Sequence, residues 1–292
     1  MNTQRIVSIV IACLVCLSCA GDRRAPVTGA EPAVRDLARF EADLRVACAG
    51  AADIRLEEVG RVDWEGFSAP IWMVRVERPG ATSRVLVEAG THGNEPAGPA
   101  WALELARTLA SDPGAYPGAS FDIVPLLNPW GWSRDVRQGR DGRDINRDFA
   151  RFATQEARIF RDLARKARYD FAIDHHEDNT QDGFYLYQYA NADTGPARRL
   201  IGALRNRGYR IEQDARFSIL RTKDGLIRAP RWGLWYVKAA GTLSLTNWLR
   251  LEGIPKVYTI ETPTSLPMAD RVELHRTAFA SLLGDVLEGG SH

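Results

Sequence analysis

The chain has few cysteines, and they are not placed where a disulfide framework would need them. Three of the four among 292 residues, Cys13, Cys16 and Cys19, lie close to the N-terminus, which leaves Cys48 alone in the rest of the chain. One cysteine cannot form an internal disulfide, so the fold must depend on its hydrophobic core. We expect Cys48 to be a buried structural thiol.

The chain also lacks an excess of charge of either sign. Its 38 lysines and arginines balance 37 aspartates and glutamates, for a net charge of +1. Because binding to nucleic acid relies on a basic surface, this balance gives no indication of a nucleic-acid partner. The length is ample for one α/β domain with a sizeable core.

Long apolar runs are missing as well, except near the N-terminus. Residues 6–17 are almost all apolar, and they follow the basic residue Arg5. This pattern is typical of an export signal, and the run is shorter than the roughly 20 residues of a spanning helix. We expect a signal peptide over residues 1–18, with lipid attached to Cys19 as in bacterial lipoproteins; simple cleavage after Ala20 is the alternative.

The composition then predicts how the rest of the chain is divided. Residues 19–33 are rich in Gly, Pro and Ala, which indicates a flexible tether. Residues 34–292 are expected to form one folded domain in the periplasm or anchored to the cell envelope. The only membrane contact expected is the lipid at Cys19.

The hydrophobic pattern of that domain predicts strands that alternate with helices. The predicted strands cover residues 54–59, 70–76, 84–88, 121–127, 170–173 and 257–260. The predicted helices cover residues 34–46, 98–110, 154–168 and 268–287. Such alternation indicates an α/β domain with a mostly parallel mixed sheet and helices on both faces.

Metal-binding side chains follow the predicted strand at residues 84–88. The sequence GTHGNE at residues 90–95 places His92 and Glu95 three residues apart, between glycines that let the backbone turn tightly. Imidazole nitrogen and carboxylate oxygen both bind zinc, and catalytic zinc sites use three protein ligands plus an open position for water. Because ligands gather at the carboxyl ends of strands in open α/β sheets, this turn is a candidate metal site.

A third ligand is predicted where another apolar strand ends, in DFAIDHHED at residues 170–178. Three of the five histidines fall in these two strand ends. Side chains alternate across a strand, so His175 and His176 face opposite sides of the sheet. Alternation alone does not choose between them.

Two further segments carry charged groups suited to hydrolysis. Between the histidine segments lies an arginine cluster, whose guanidinium groups suit a substrate carboxylate or a developing oxyanion. Its members are Arg134, Arg137, Arg140, Arg143 and Arg147. Later, Glu261 ends an apolar strand, where a carboxylate beside a metal can act as a general base.

Taken together, these segments resemble the zinc carboxypeptidase family (peptidase family M14), in its compact bacterial branch near the murein-peptide amidases and the aspartoacylase/succinylglutamate desuccinylase-like proteins. The resemblance covers about residues 56–283 and rests on the order of five motifs. They are GTHGNE at residues 90–95, NP at 128–129, DINR at 144–147, DHH at 174–176 and ETP at 261–263.

The resemblance implies a zinc-carboxypeptidase-like catalytic domain with one zinc ion per chain. Its ligands would be His92, Glu95 and His176, with His176 favoured because it follows Asp174 by two positions. Glu261 would be the general base and proton shuttle.

The resemblance also implies roles around the metal. Asp144 would orient the first histidine, and Asn146 and Arg147 would hold the terminal carboxylate of the substrate. Arg137 would polarise the scissile carbonyl, with Arg134 as one alternative; Arg140 is the other. The family's substrate-capping tyrosine has no firm counterpart: Tyr236 is one candidate, and Tyr258 lies in an apolar strand.

The predicted activity is zinc-dependent hydrolysis of an amide bond next to a free carboxylate. For an exported protein this indicates a metallocarboxypeptidase or peptide amidase acting on peptides or cell-wall peptides. One alternative is an N-acyl amino acid deacylase of the aspartoacylase type, and another is a non-catalytic binding lipoprotein. Residues 182–247, rich in Trp, Tyr and Arg, are expected to wall the pocket.

Overall fold

The computed structural model describes residues 33–189, 192–217 and 220–289. The predicted signal peptide, Cys19 and nearly all of the tether lie outside these ranges, so export and lipidation stay predictions. Within the described ranges, no helix has both the length and the apolar character needed to cross a membrane.

Ten strands form one mixed sheet in the order β1-β2-β4-β3-β5-β10-β6-β9-β8-β7. The strands are β1 (Ile54–Trp64), β2 (Phe67–Val76), β3 (Ser83–Ala89), β4 (Ala119–Val124), β5 (Phe171–Asp178), β6 (Tyr185–Tyr189), β7 (Arg216–Phe217), β8 (Leu220–Lys223), β9 (Leu226–Ala229) and β10 (Lys256–Pro263). The four central strands, β4, β3, β5 and β10, are parallel, and most of the outer pairs are antiparallel. The carboxyl ends of β3, β5 and β10 therefore meet at one edge.

Helices cover both faces of this sheet. They are α1 (Leu37–Cys48), α2 (Ala97–Ser111), α3 (Pro129–Arg134), α4 (Gln155–Ala164), α5 (Gly195–Asn206), α6 (Arg231–Ala240), α7 (Leu245–Leu251) and α8 (Met268–Gly289), with a 3-10 turn at Ile145–Arg147. Helices α1, α2, α5 and α8 enclose one core cluster, and α4 and α7 enclose the other. The predicted single α/β domain with a mixed sheet between helices is confirmed.

Alternation along the central strands decides which side chains enter which core. In β3, Val85 and Val87 belong to the cluster under α2 and α8, whereas Leu86 belongs to the cluster under α4 and α7. In β5 the same rule divides Ile173 from Ala172. The same alternation continues into the polar residues at the carboxyl ends of β3 and β5. It therefore determines the face of the sheet on which a site can form.

Several elements differ in extent from the sequence prediction. The strand predicted to end at Ile173 continues to Asp178, because its charged side chains find partners in the interior. Residues 129–134 form the short helix α3, which is not among the helices predicted from the sequence. Asn128 caps it by accepting a hydrogen bond from the Gly131 N–H at 2.9 Å, and Pro129 occupies its first position.

Cys48 is a free, buried thiol at the end of α1, as predicted. Burial raises its pKa to about 11, so it stays protonated at neutral pH.

Candidate metal centre

The three predicted metal ligands converge at the carboxyl ends of neighbouring strands. His92 and Glu95 lie on the turn after β3, and His176 lies in β5. The Nδ1 atoms of His92 and His176 are each 2.7 Å from a different carboxylate oxygen of Glu95. All three side chains are buried, and one ligand atom from each lies within 4.8 Å of the others. The arrangement is a compact His–Glu–His cluster.

The choice between the adjacent histidines follows from the sheet register. His176 lies opposite Glu261 of β10, and His175 lies opposite Ile260. His175 therefore points to the other face, where its Nδ1 is 3.1 Å from Nδ1 of His275. Burial, then the charges of His275 and His176, lower the pKa of His175 well below its ordinary value, so it is neutral. Only His176 joins the cluster.

A carboxylate holds the far nitrogen of each imidazole. Asp144 Oδ1 is 3.1 Å from Nε2 of His92, and Asp174 Oδ2 is 3.0 Å from Nε2 of His176. Burial alone would lower the pKa of His176, but Asp174 and Glu95 raise it well above its ordinary value. This arrangement fixes both rings with Nδ1 directed into the cluster. The place of Asp144 fits the role that the resemblance implied, whereas sequence reasoning gave Asp174 no role.

A second carboxyl group lies behind Asp174. Glu88 faces it across the β3–β5 pair, and both side chains are fully buried. Burial, then the charge of Asp174, raise the pKa of Glu88 well above its ordinary value, so Glu88 holds a proton. The Thr91 hydroxyl donates to Glu88 at 2.7 Å. Glu88 and Asp174 together therefore present a single negative charge to His176.

Arg137 reaches the cluster from the loop after α3. Its Nη1 donates to Glu95 Oε1 at 3.1 Å, and its Nη2 donates to Asp144 Oδ2 at 3.1 Å. Burial opposes the charged form, but Asp144 and Glu95 raise the pKa of Arg137 above its ordinary value. A permanent positive charge is thus held beside the metal ligands, and the oxyanion role of Arg137 stays a prediction.

Asn146 and Arg147, predicted to hold a substrate carboxylate, differ in accessibility. Asn146 is buried: its Nδ2 is 2.9 Å from Nε2 of His176, and its Oδ1 accepts from the Leu245 N–H at 2.8 Å. Arg147 is exposed, and its Nη1 donates to the Asn146 carbonyl at 2.9 Å. Among the described residues no carboxylate lies within salt-bridge distance of Arg147. Its guanidinium group is accessible to an anion, whereas Asn146 holds the site together.

Glu261 lies beside the cluster on the same face as His176. Its side chain keeps some contact with solvent. Desolvation by the surrounding protein raises its pKa to about 8; Glu95 and Asp178 act in the same direction, while His176 opposes them. The positive charge of a metal ion at the cluster would favour the ionised carboxylate, which can accept a proton and return it.

Residues 81–212 match the family model of the succinylglutamate desuccinylase/aspartoacylase catalytic domain. A candidate metallopeptidase of Shewanella denitrificans OS217 has a similar structure (TM-score 0.71, 22% identity, covering 86% of this chain and 90% of that one). So does the Pseudomonas aeruginosa metallo-carboxypeptidase in complex with (2-guanidinoethylmercapto)succinic acid (TM-score 0.64, 18% identity, 84% and 68%). The predicted family resemblance is confirmed. No curated protein matches the chain by sequence.

The zinc carboxypeptidase fold spans nearly the whole described chain, but the family match is shorter. The three predicted metal ligands fall within residues 81–212, as do Asp144 and the two residues predicted to bind a carboxylate. Glu261 lies beyond it. Fold and family match together support a hydrolase of this superfamily, and they leave its substrate open.

Zinc suits the donor set of the His–Glu–His cluster. Burial alone would raise the pKa of Glu95, but His92 and His176 lower it, so the carboxylate is ionised. Two imidazoles and one carboxylate are a ligand set of catalytic zinc, whose bonds of about 2.0–2.2 Å require only small side-chain shifts here. These three residues therefore fit one zinc ion.

Two residues hold the turn: Gly93, whose glycine the sequence already indicated, and Arg35, which sequence reasoning missed. A Cβ on Gly93 would lie 2.0 Å from the carbonyl carbon of Gly131, so only glycine fits there. Arg35, just before α1, donates from Nη1 to the Gly93 carbonyl at 3.1 Å and to the Trp132 carbonyl at 2.7 Å. The Arg35–Gly93 contact spans 58 residues and has no periodic signal in the sequence.

The two tyrosines considered as substrate caps, Tyr236 and Tyr258, differ in burial. Tyr258 is buried in the core against Phe171, with ring centroids 5.8 Å apart, so it cannot cap a substrate. Tyr185 of β6 lies opposite Glu261, and the charges of Glu261 and Arg147 both act on the pKa of Tyr187. The region at residues 182–247 thus supplies an aromatic edge next to Glu261. Tyr236 lies in α6 and is half-buried.

Proposed function

We propose that this protein is a zinc-dependent hydrolase that cleaves an amide bond next to a free carboxylate, as a metallocarboxypeptidase or peptide amidase. The observation that carries the proposal is the combination of a His–Glu–His cluster, Glu261 and the accessible cation of Arg147 on one face of the sheet. Peptides or cell-wall peptides are the substrates we expect, in the periplasm or at the cell envelope.

In this mechanism the side chains around the His–Glu–His cluster have separate roles. Zinc held by His92, Glu95 and His176 would supply Lewis acidity toward water and the scissile carbonyl. Glu261 takes a proton from the attacking water and returns it to the leaving amine. Because Glu261 lies on the same face as His176, the same carboxyl group can serve both transfers.

The arginines provide positive charge at two positions. Arg137, fixed by Glu95 and Asp144, stabilises negative charge that develops on the carbonyl oxygen. Loss of one such donor typically costs about 2.7–4 kcal/mol in hydrolases, so Arg137→Ala should fold and turn over very slowly. Arg147 holds the substrate carboxylate and thereby sets which amide bond is cleaved.

A second candidate function is supported by the family match. An N-acyl amino acid deacylase of the aspartoacylase type would use the same ligands and base, and residues 81–212 match that family. It would release a small acid and would not need a groove for a peptide. The two functions differ in what lies on the acyl side of the scissile bond.

The test is to load the purified protein with zinc and compare three substrates: a peptide with a free C-terminus, the same peptide amidated, and N-acyl amino acids. A carboxypeptidase cleaves the first and spares the amidated peptide, and Arg147→Met raises its KM. A deacylase prefers the N-acyl amino acids. Absence of turnover in zinc-loaded protein on every substrate would contradict both and support a binding protein.

A further inference from the structure

Helix α6 exposes two large aromatic side chains. Trp232 is 60% and Trp235 is 64% exposed, and their spacing of three residues places them on the same side of the helix. Elsewhere in the described part of the chain, the exposed large hydrophobic residues are single aliphatic side chains. A pair of adjacent exposed tryptophans is not explained by the core, because Leu234 and Val237 already attach the helix to the domain.

The surroundings of this helix are strongly basic. Residues 216–241, which include β7, β8, β9 and α6, contain six lysines and arginines and one acid, Asp224. Asp224 is paired with Arg205 and Arg221 with Asp214, and both of these partners lie outside the stretch. Lys223 and Lys238 are exposed, and Lys238 Nζ lies 5.4 Å from the centre of the Trp235 ring. The surface therefore combines exposed indole rings with a local excess of positive charge, although the whole chain is nearly neutral.

We infer that α6 and the β8–β9 hairpin that leads into it form a docking surface for an anionic phospholipid membrane. Tryptophan prefers the boundary between headgroups and acyl chains, where its ring is buried and its N–H stays near water. Short helices with Trp on one side and Lys or Arg around them bind such interfaces in plane, and anionic headgroups attract the basic residues. Charge complementarity thus favours a lipid surface as the occupant.

This inference adds a membrane contact to the one expected at Cys19, and it does not depend on the proposed activity. It also bears on where the site works. Helix α6 ends five residues before Leu245, whose N–H donates to Asn146 in the metal centre. Docking through α6 would hold the domain with this side of the pocket close to the membrane.

The experiment uses the chain after leader removal with Cys19→Ser, so that no lipid anchor contributes. Binding is measured by co-sedimentation with phosphatidylcholine vesicles, with and without one third phosphatidylglycerol, and by tryptophan fluorescence. We expect binding to the anionic vesicles only, weakened as salt is raised from about 0.1 to 0.5 M. Trp232→Ser with Trp235→Ser should reduce the partition coefficient at least about tenfold.

Val46→Ser is the matched control, because Val46 is 74% exposed on α1, a different helix. It should leave vesicle binding unchanged, and all variants should keep the wild-type melting temperature. Lys223→Gln with Lys238→Gln should weaken the salt dependence. No binding to anionic vesicles, or equal binding by the double tryptophan variant, would overturn the inference. Tryptophan-dependent retention on purified peptidoglycan without vesicle binding would also overturn it.

Discussion

Replacing Gly93 by alanine should displace the turn that carries two of the predicted metal ligands. The new Cβ would lie 2.0 Å from the carbonyl carbon of Gly131 and 2.3 Å from the amide nitrogen of Trp132. Both neighbours are backbone atoms, so no side chain can rotate away. Because ordinary carbon contacts begin near 3.4 Å, the two segments must separate by more than about 1 Å.

This displacement sets the size of the effect. Overpacking typically costs about 1–3 kcal/mol, and a clash between two backbones should fall at the upper end, near 3 kcal/mol. For a domain of this size that corresponds to a fall in melting temperature of roughly 6–12 °C. Metal sites need their ligands within about 0.5 Å of the productive geometry, so zinc affinity should fall at least about tenfold.

The assay is thermal unfolding of metal-free protein together with zinc titration of the folded protein. Gly202→Ala in α5 is the matched control, since a Cβ there meets nothing within 4 Å. That variant should be as stable as wild type or up to about 1 kcal/mol more stable, because alanine is the better helix former. Suppose that Gly93→Ala has the same melting temperature and zinc affinity as wild type. The close approach of Gly93 to Gly131 would then not be needed for the metal site.

Three other predictions concern single side chains. Glu261→Gln should keep its zinc and lose turnover by about 10²–10⁴-fold; near-normal kcat would exclude the general-base role. Burial raises the pKa of Glu156 from 4.5 to about 7, so the folded protein binds this proton more tightly than the unfolded chain does. The protonated side chain contributes fully to stability below pH 4.5, and that contribution is lost as pH rises through 7. Urea unfolding should therefore show Glu156→Gln more stable than wild type at pH 8, by up to about 3 kcal/mol, with no such gain near pH 4; a gain of equal size at both pH values would contradict the pKa assignment. Arg35→Met should weaken zinc binding by removing the donor to the Gly93 carbonyl, while Arg39→Met, at an exposed ion pair on α1, should not; equal zinc affinities by titration would show that Arg35 has no influence on the site.

Much of the metal centre could be predicted because its metal-binding side chains lie at or directly after the ends of apolar strands. The apolar run of β3 ends in a glycine-bounded turn that contains His92 and Glu95, and a buried strand end directs such side chains toward the sheet edge. The choice of His176 over His175 could not be made from alternation. It depends on the partner strands and on which face Asp144 approaches, both of which are set by tertiary contacts.

The residues that support the ligands were harder to predict, because their contacts are distant in sequence. In the sequence Glu88 is simply the end of an apolar strand, and its pairing with Asp174 appears only when β3 lies against β5. Arg35 lies next to the predicted tether, where charged residues usually face solvent. The short strands β6 to β9 have too few residues for a clear period, so their order in the sheet depends on packing.

The two adjacent histidines of β5 also bear on how the chain folds. A slip of one residue between β5 and its neighbours would bring His175 to the metal side, but it would carry Ile173 there as well and drive Asp174 into the apolar cluster under α8. Burying an unpaired carboxylate costs several kcal/mol, so the misaligned pairing is disfavoured before any ion binds. The residues that flank the histidines therefore select the ligand, and the apoprotein can reach the correct register without metal as a template.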